Sequence, residues 1–322
     1  MEKQEFLYPD FTNEEKHALN YNYYKVSFMI LIILIIIISF PTKINFTHKI
    51  CLCTIGKDEN KYIREFVEFY KNKEVDKIFL YDNNDLNGEK FEDVINDYIN
   101  SGFVDIINYR GFKSPQLQSY KDCYKKNNAS YDWFIYYDID EFIYLKDFNS
   151  IKSFLFNERF KKCEKIQLNW VFHTDNDLLY YDNRTIRERF PEKEPNARNS
   201  SFGGKQQIKS IIRGHKNNLN IHCIHTLSHS LINCDGFGKR QKIDSIFTKK
   251  SDYEYYYIEH YYSKSTEEFI NKIKKTDAYH LNPNIINKIK LYFSFNRITK
   301  EKIDYLEKET KLNLSMFREK IK

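Results

Sequence analysis

From residue 49 onward the chain alternates strand-length apolar runs with helix-length amphipathic ones, and this alternation restricts its fold more than any other feature. Residues 49–55 read as a strand. Asp58 or Asn60 can cap a helix to about residue 71, with Ile63, Phe66, Val67 and Tyr70 on one face. A strand over 77–81, a helix over 91–100 closed by Gly102, and a strand over 103–109 follow. Ser114 as N-cap with Pro115 at the first position opens another helix, and residues 131–137 form a fourth strand rich in aromatics. Repeats of this spacing predict an α/β fold, a mostly parallel sheet with helices on both faces.

In such sheets ligands bind outside the carboxyl ends of the strands. Three polar clusters fall there: Gly56-Lys57-Asp58-Glu59, Asp82-Asn83-Asn84 and Asp138-Ile139-Asp140. On a strand, residues i and i+2 share a side, so Asp138 and Asp140 would point together and Glu141 away. Paired carboxylates at a strand end suit a hard divalent cation that keeps room for phosphate oxygens. A solvated acidic turn is the plainer alternative, and convergence of three clusters on one edge argues against it.

Further on, residues 165–173 read as a strand containing Trp170, running into His173-Thr174-Asp175-Asn176-Asp177. Residues 192–204 read as a loop; 208–213 and 220–228 as short strands; 253–262 as an aromatic strand with Glu259 and His260 near its end. Ser265-Thr266-Glu267-Glu268 has the capping-box pattern, and the chain from 281 is amphipathic and helical.

The length of 322 residues and 41% hydrophobic content allow a sizeable core, divided here as a polar tail (1–25), an anchor (26–40), a short stem (41–48), a main domain (49–280) and a helical extension (281–322). The net charge of +6 is scattered, without the basic stripe that nucleic acid requires. The apolar run 26–40, stopped by Pro41, falls short of the roughly 20 residues that span a bilayer, but tyrosines at 21, 23 and 24 extend it at the interface. A single N-terminal transmembrane anchor is expected. Sequons at Asn45, Asn128, Asn183, Asn199 and Asn313 suit a luminal domain, of Golgi or secretory type II topology in a eukaryote. Six cysteines are too few for a disulfide scaffold; Cys51 and Cys53 suit core packing, and Cys223–Cys234 is a possible bridge.

Four stretches resemble the GT-A glycosyltransferases of the family 92 type: Ile55-Gly56-Lys57-Asp58-Glu59-Asn60 with Glu65-Phe66, Phe79-Leu80-Tyr81-Asp82-Asn83, residues 133–142, and the run Glu259-His260-Tyr261-Tyr262-Ser263-Lys264-Ser265-Thr266-Glu267-Glu268-Phe269. The resemblance covers roughly residues 49–276. Lys275-Thr276 departs from the family's Arg-Gly pair, and the run after Trp170 departs from a Gly-containing loop. The resemblance implies a GT-A Rossmann-like fold and metal-dependent transfer from a nucleotide-sugar, a UDP-sugar with UDP-galactose among the candidates, to a glycan or glycoconjugate acceptor, with inversion.

In that frame Mn²⁺ or Mg²⁺ neutralises the departing diphosphate. Asp140 is the first metal ligand, Asp138 holds ribose or metal, and His260 is a further ligand through the resemblance and the suitability of imidazole for Mn²⁺. Gly56, Lys57, Glu59, Asp82, Asp138 and Lys264 are donor-binding candidates; Trp170 and His173 face the acceptor. The candidates for a general base are Asp235, then Asp175, Asp177 and Glu188. A carbohydrate- or nucleotide-sugar-binding protein without turnover is the alternative. A zinc site from His222, Cys223, His225, His229 and Cys234 fits no ligand spacing well.

Overall fold

The structure is a computed structural model, and it describes residue 12 and residues 21–31, 48–194, 207–242, 245–247, 252–274 and 285–321. The chain divides into two units, Met1–Phe46 and Thr47–Lys322. In the first, residues 21–31 are helical and exposed. Among the described residues no helix is long and apolar enough to cross a membrane; the expected anchor at 26–40 runs past residue 31, outside the described residues, as do most of the tail, the stem, much of the 192–204 loop, Lys275-Thr276 and the sequons at Asn45 and Asn199.

The second unit is mixed α/β. β1 (Ile50–Gly56) pairs in parallel with β2 (Lys77–Asp82) on one side and β4 (Trp133–Ile135) on the other, and β2 pairs in parallel with β3 (Val104–Asn108). β7 (Ile208–Arg213) joins β4 antiparallel, then come β6 (Lys165–Phe172), β9 (Tyr256–His260) and β5 (Glu141–Leu145), with the short β8 (Asn233–Cys234) beside β6. Most pairings are parallel, as expected for α/β.

The two sheet faces follow from the period-2 alternation of β1. Ile50 and Leu52 bury against Ile63, Phe66, Val67 and Tyr70 of α1 (Asn60–Asn72) and Ile95 of α2 (Glu92–Asn100). Cys51, Cys53 and Ile55 bury against Tyr120, Cys123 and Tyr124 of α3 (Gln116–Asn127). Cys53 is disulfide-bonded to Cys123, tying α3 to the sheet. A short α4 (Ile151–Leu155) and α5 (Ile186–Arg189) lie between later strands. A third core joins α6 (Thr266–Lys274), α7 (Ile285–Phe295), α8 (Lys300–Thr310) and α9 (Ser315–Arg318), and Phe295 stacks on Phe172 of β6 at 4.3 Å. The C-terminal helices therefore pack as part of the sheet-bearing unit.

Several local expectations need correction. Residues 220–228 form no strand; a lone bridge between Cys223 and Leu227 closes a turn there. Cys234 bonds Cys163, not Cys223, because β8 runs beside β6. That also removes Cys234 from any zinc set, and among the described residues no three His, Cys, Asp or Glu side chains form a metal cluster. Neither Asp58 nor Asn60 caps α1: Glu59 occupies that position without a side-chain cap. Ser114, with φ of 49°, does not cap α3, whose N-cap is Pro115. The Ser265–Glu268 capping box forms as read: the Ser265 amide donates to Glu268 Oε2 at 3.0 Å and the Glu268 amide to Ser265 Oγ at 3.3 Å.

Candidate active site

The acidic motif is not on a strand. β4 stops at Ile135 and β5 begins at Glu141, so Asp138 and Asp140 sit in the turn between them. The shared side expected from strand geometry is lost, and the two carboxylates have separate partners. Asp138 accepts from Gln116 Nε2 at 2.8 Å, the Tyr120 hydroxyl at 3.3 Å and Lys209 Nζ at 2.9 Å. Asp140 lies 3.6 Å from His260 Nε2, 3.3 Å from Lys272 Nζ and 3.9 Å from Lys264 Nζ. Between them, Ile139 packs against Gly56, where an added Cβ would fall 2.4 Å from its Cδ1. Gly56 thus serves close approach of the turn to β1.

Lys209 is fully buried on β7 and also lies 3.4 Å from Glu141, which is itself fully buried and accepts the Asp138 amide at 3.1 Å. Burial would lower the Lys209 pKa, but Asp138 and Glu141 hold the ammonium well above its ordinary value. This internal cation fixes the shape of the turn. Lone lysine at 209 within Ile208-Lys209-Ser210-Ile211-Ile212 was the available sequence signal for it.

His260 reaches the turn because β9 pairs antiparallel with β5, setting His260 opposite Glu141. Burial is the largest influence on its imidazole and pushes the pKa down to about 3. His260 is neutral at ordinary pH, with Nε2 toward Asp140 and Nδ1 buried without a hydrogen-bond partner among the described residues. Burial works to raise the Asp140 carboxyl, and the ammonium groups of Lys272 and Lys264 outweigh it and hold the pKa far below the carboxylate range. An ionised carboxylate beside a neutral imidazole is a donor pair that fits a divalent cation. Asp138 is held by Lys209 and by Gln116 and Tyr120 of α3.

The remaining donor candidates are divided. Glu59 and Lys264 stand together, 3.4 Å apart, at the mouth of a cleft of about 300 Å³ that Tyr62 and Lys272 also line. Lys264 is 5% exposed, has φ of 53° and sits 3.8 Å from the centre of the Tyr62 ring. Lys57 instead pairs with Asp85 at 2.7 Å. Asp82 is buried, accepting from Arg110 Nε at 2.7 Å and from the Asn84 amide at 2.9 Å, so it orients Arg110 and its own loop. Arg110 and Lys272 were missed in the sequence, since scattered surface lysines and arginines look alike until the fold brings their partners close.

Trp170 packs its ring 4.4 Å from His260, whereas His173 turns to stack on Tyr261 at 4.3 Å, 3.6 Å from Glu259. Among the base candidates, Asp175 is buried against Lys302 at 2.7 Å and the Tyr292 hydroxyl, and Asp177 shares that lysine at 2.7 Å. Glu188 completes the capping box of α5 with Thr185. Asp235 accepts from the Phe237 and Lys239 amides within a turn whose Gly236 lies against Tyr256, at the start of β9 rather than at its His260 end.

His225 shares this face, 5.3 Å from Trp170, with Nδ1 against the Ile208 carbonyl at 3.0 Å. Burial, then Lys209, push its pKa down to about 4. A histidine depressed in the fold stays neutral while the unfolded chain takes up a proton below pH 6.5, so its contribution is complete at pH 7 and is lost as pH falls toward 4. At pH 5 the expected loss from His225 is at most about 2 kcal/mol. Urea unfolding at pH 7 and pH 5 checks this, with His225→Gln expected to flatten the dependence; an unchanged slope would exclude His225 as its source.

The carboxyl edge of this mixed α/β sheet thus carries an ionised turn and a neutral histidine, beside a cleft lined by both carboxylates and lysines. The chain belongs to glycosyltransferase family 92, whose sequence model matches residues 47–310. It is 26% identical over 111 residues to a family 92 protein of Oryza sativa subsp. japonica, covering 34% of this chain and 18% of the rice protein. It is 24% identical over 98 residues to one of Ricinus communis, covering 30% and 17%. The matched region thus spans less than a fifth of these relatives' length. Among solved structures, S. aureus TarS 1–349 overlaps with a TM-score of 0.34 at 12% identity, covering 77% of this chain and 70% of TarS. The same protein in complex with UDP-GlcNAc gives 0.35 at 10% identity, covering 85% and 84%.

Proposed function

We propose that this chain is a metal-dependent glycosyltransferase of GT-A type that moves a sugar from a nucleoside-diphosphate sugar, a UDP-hexose first among them, to a glycan acceptor with inversion. The observation that carries the reading is the Asp140–His260 pair, whose carboxylate is approached by Lys264 and Lys272, two lysines that line the cleft with Glu59. Asp140 and His260 would hold Mn²⁺ or Mg²⁺, which supplies charge neutralisation for the departing diphosphate. Lys264 presents a fixed ammonium to the same cleft, and Asp138, Lys209 and Glu141 hold the turn that aims Asp140. Family membership supports the reaction class. The two disulfides support folding in an oxidising compartment, in line with a membrane-anchored, single-pass protein of secretory type.

The test is sugar release by the full chain from UDP-, GDP- and CMP-sugars, each with Mn²⁺ or with EDTA. Release from a diphosphate-linked donor with Mn²⁺ and none with EDTA is the expected result. Nucleotide-sugar binding without release in the presence of glycan acceptors would replace the transferase with a binding protein.

A further inference from the structure

Asp140 has two ammonium neighbours, and they are held differently. Lys264 is 5% exposed, set by a left-handed backbone and wedged between Glu59 and the face of Tyr62. Lys272 projects from α6, and its side chain is 32% exposed. Its contacts are long: 3.3 Å to Asp140, 3.3 Å to the Tyr262 carbonyl and 4.2 Å to the centre of the Tyr262 ring. Charge-assisted N–H···O bonds close to about 2.7–2.9 Å when both partners are committed. Lys272 thus covers Asp140 loosely while lining the cleft that Glu59 and Lys264 line.

Charge in the cleft points to a purpose. With Lys272 in place, Asp140 faces Lys272 and Glu59 faces Lys264, while Asp58, Glu89, Lys61 and the Arg189-paired Glu268 also line the cleft. A divalent cation arriving alone meets two ammonium groups beside its carboxylate. A nucleoside diphosphate arriving alone meets the carboxylates that line the cleft, Glu59 beside Lys264 among them. Arriving together they neutralise most of each other, and a lysine displaced from Asp140 gains phosphate oxygens in exchange.

We propose that Lys272 is a placeholder cation: it holds Asp140 while the cleft is empty and passes to the donor's diphosphate when a divalent cation takes the carboxylate. This rests on the glycosyltransferase reading and deepens it, since it makes cation and diphosphate binding mutually dependent. It assigns Lys272 a binding role that the sequence run around Glu268 does not reveal.

The experiment is Mn²⁺ titration of the full chain without nucleotide, followed by electron paramagnetic resonance, in wild type, Lys272→Met and Asp140→Asn. Removing a competing charge-assisted contact is expected to tighten Mn²⁺ binding by about tenfold or more in Lys272→Met. Asp140→Asn is expected to lose the site. In the presence of Mn²⁺, calorimetry should show Lys272→Met binding UDP about tenfold more weakly and UMP as wild type does. Thermal melts confirm that each variant is folded.

Lys272→Met binding Mn²⁺ no more tightly than wild type overturns the proposal. So does absence of Mn²⁺ binding in both, or equal losses for UDP and UMP. Sugar release by wild type is read separately. Continued release with unaltered Mn²⁺ affinity in Lys272→Met sinks the placeholder and leaves the transferase standing, whereas absence of release with UDP-dependent Mn²⁺ binding does the reverse.

Discussion

Asp140→Asn is expected to leave a folded protein whose sugar transfer falls about 10²–10³-fold in kcat, the usual cost of removing one preorganised electrostatic group from a reacting centre. The amide keeps the shape of the side chain and one acceptor oxygen but loses the charge. It then cannot hold a divalent cation against solvent, and Lys264 and Lys272 lose their common counter-ion. Part of the stability should go with the charge, because the ammonium groups that depress the Asp140 carboxyl favour the folded state, while Lys264 keeps Glu59 and Lys272 is partly exposed, so the variant still folds. Asp138→Asn is the informative companion. Its carboxylate is committed to Gln116, Tyr120 and Lys209, so its loss should appear in the unfolding midpoint at least as strongly as in turnover. The measurements are kcat and KM for the donor at saturating Mn²⁺, with urea unfolding on the same preparations. Wild-type turnover in folded Asp140→Asn would remove Asp140 from the site.

The contrast between these two aspartates shows where sequence reasoning carried and where it stopped. Alternation from residue 49 was sufficient for the parallel half of the sheet, since each strand and helix there is local and its burial periodic. The acidic motif does lie at the carboxyl edge, but in the turn after β4 and not on a strand. Tyr136 and Tyr137 are fully buried and aromatic, so the run looks like strand up to the first aspartate, while pairing with β1 ends at Ile135. The partners that give each carboxylate its role lie far away in sequence, 71 residues for Lys209 and 132 for Lys272, and nothing local encodes them. The disulfides, 70 and 71 residues apart, were beyond spacing arguments for the same reason. Residues 220–228 misled in the opposite direction: alternation there comes from a turn, with the His225 ring held on Ile208 of β7.

Lys209→Met should be the most damaging single change in stability, by about 3–5 kcal/mol, the range for removing one partner of a buried ion pair. Lys209 and Glu141 are both fully buried, and Asp138 is the only one of the three with appreciable access to water, its side chain being 33% exposed. With the ammonium gone, Asp138 can turn outward and be solvated, but Glu141 cannot, because β5 pairing with β9 fixes it opposite His260. The penalty therefore falls chiefly on Glu141. Burial already pushes its carboxyl pKa upward against the pull of Lys209, and without Lys209 the side chain is expected to take a proton. Glu141→Gln supplies that neutral form directly, so the double variant Lys209→Met/Glu141→Gln should recover part of the loss. A double-mutant cycle by urea unfolding at pH 7 tests this, with strong coupling between the two positions expected. Additive effects, or a Lys209→Met cost below about 1 kcal/mol, would mean that solvent reaches the turn and that the buried cation does not set its shape.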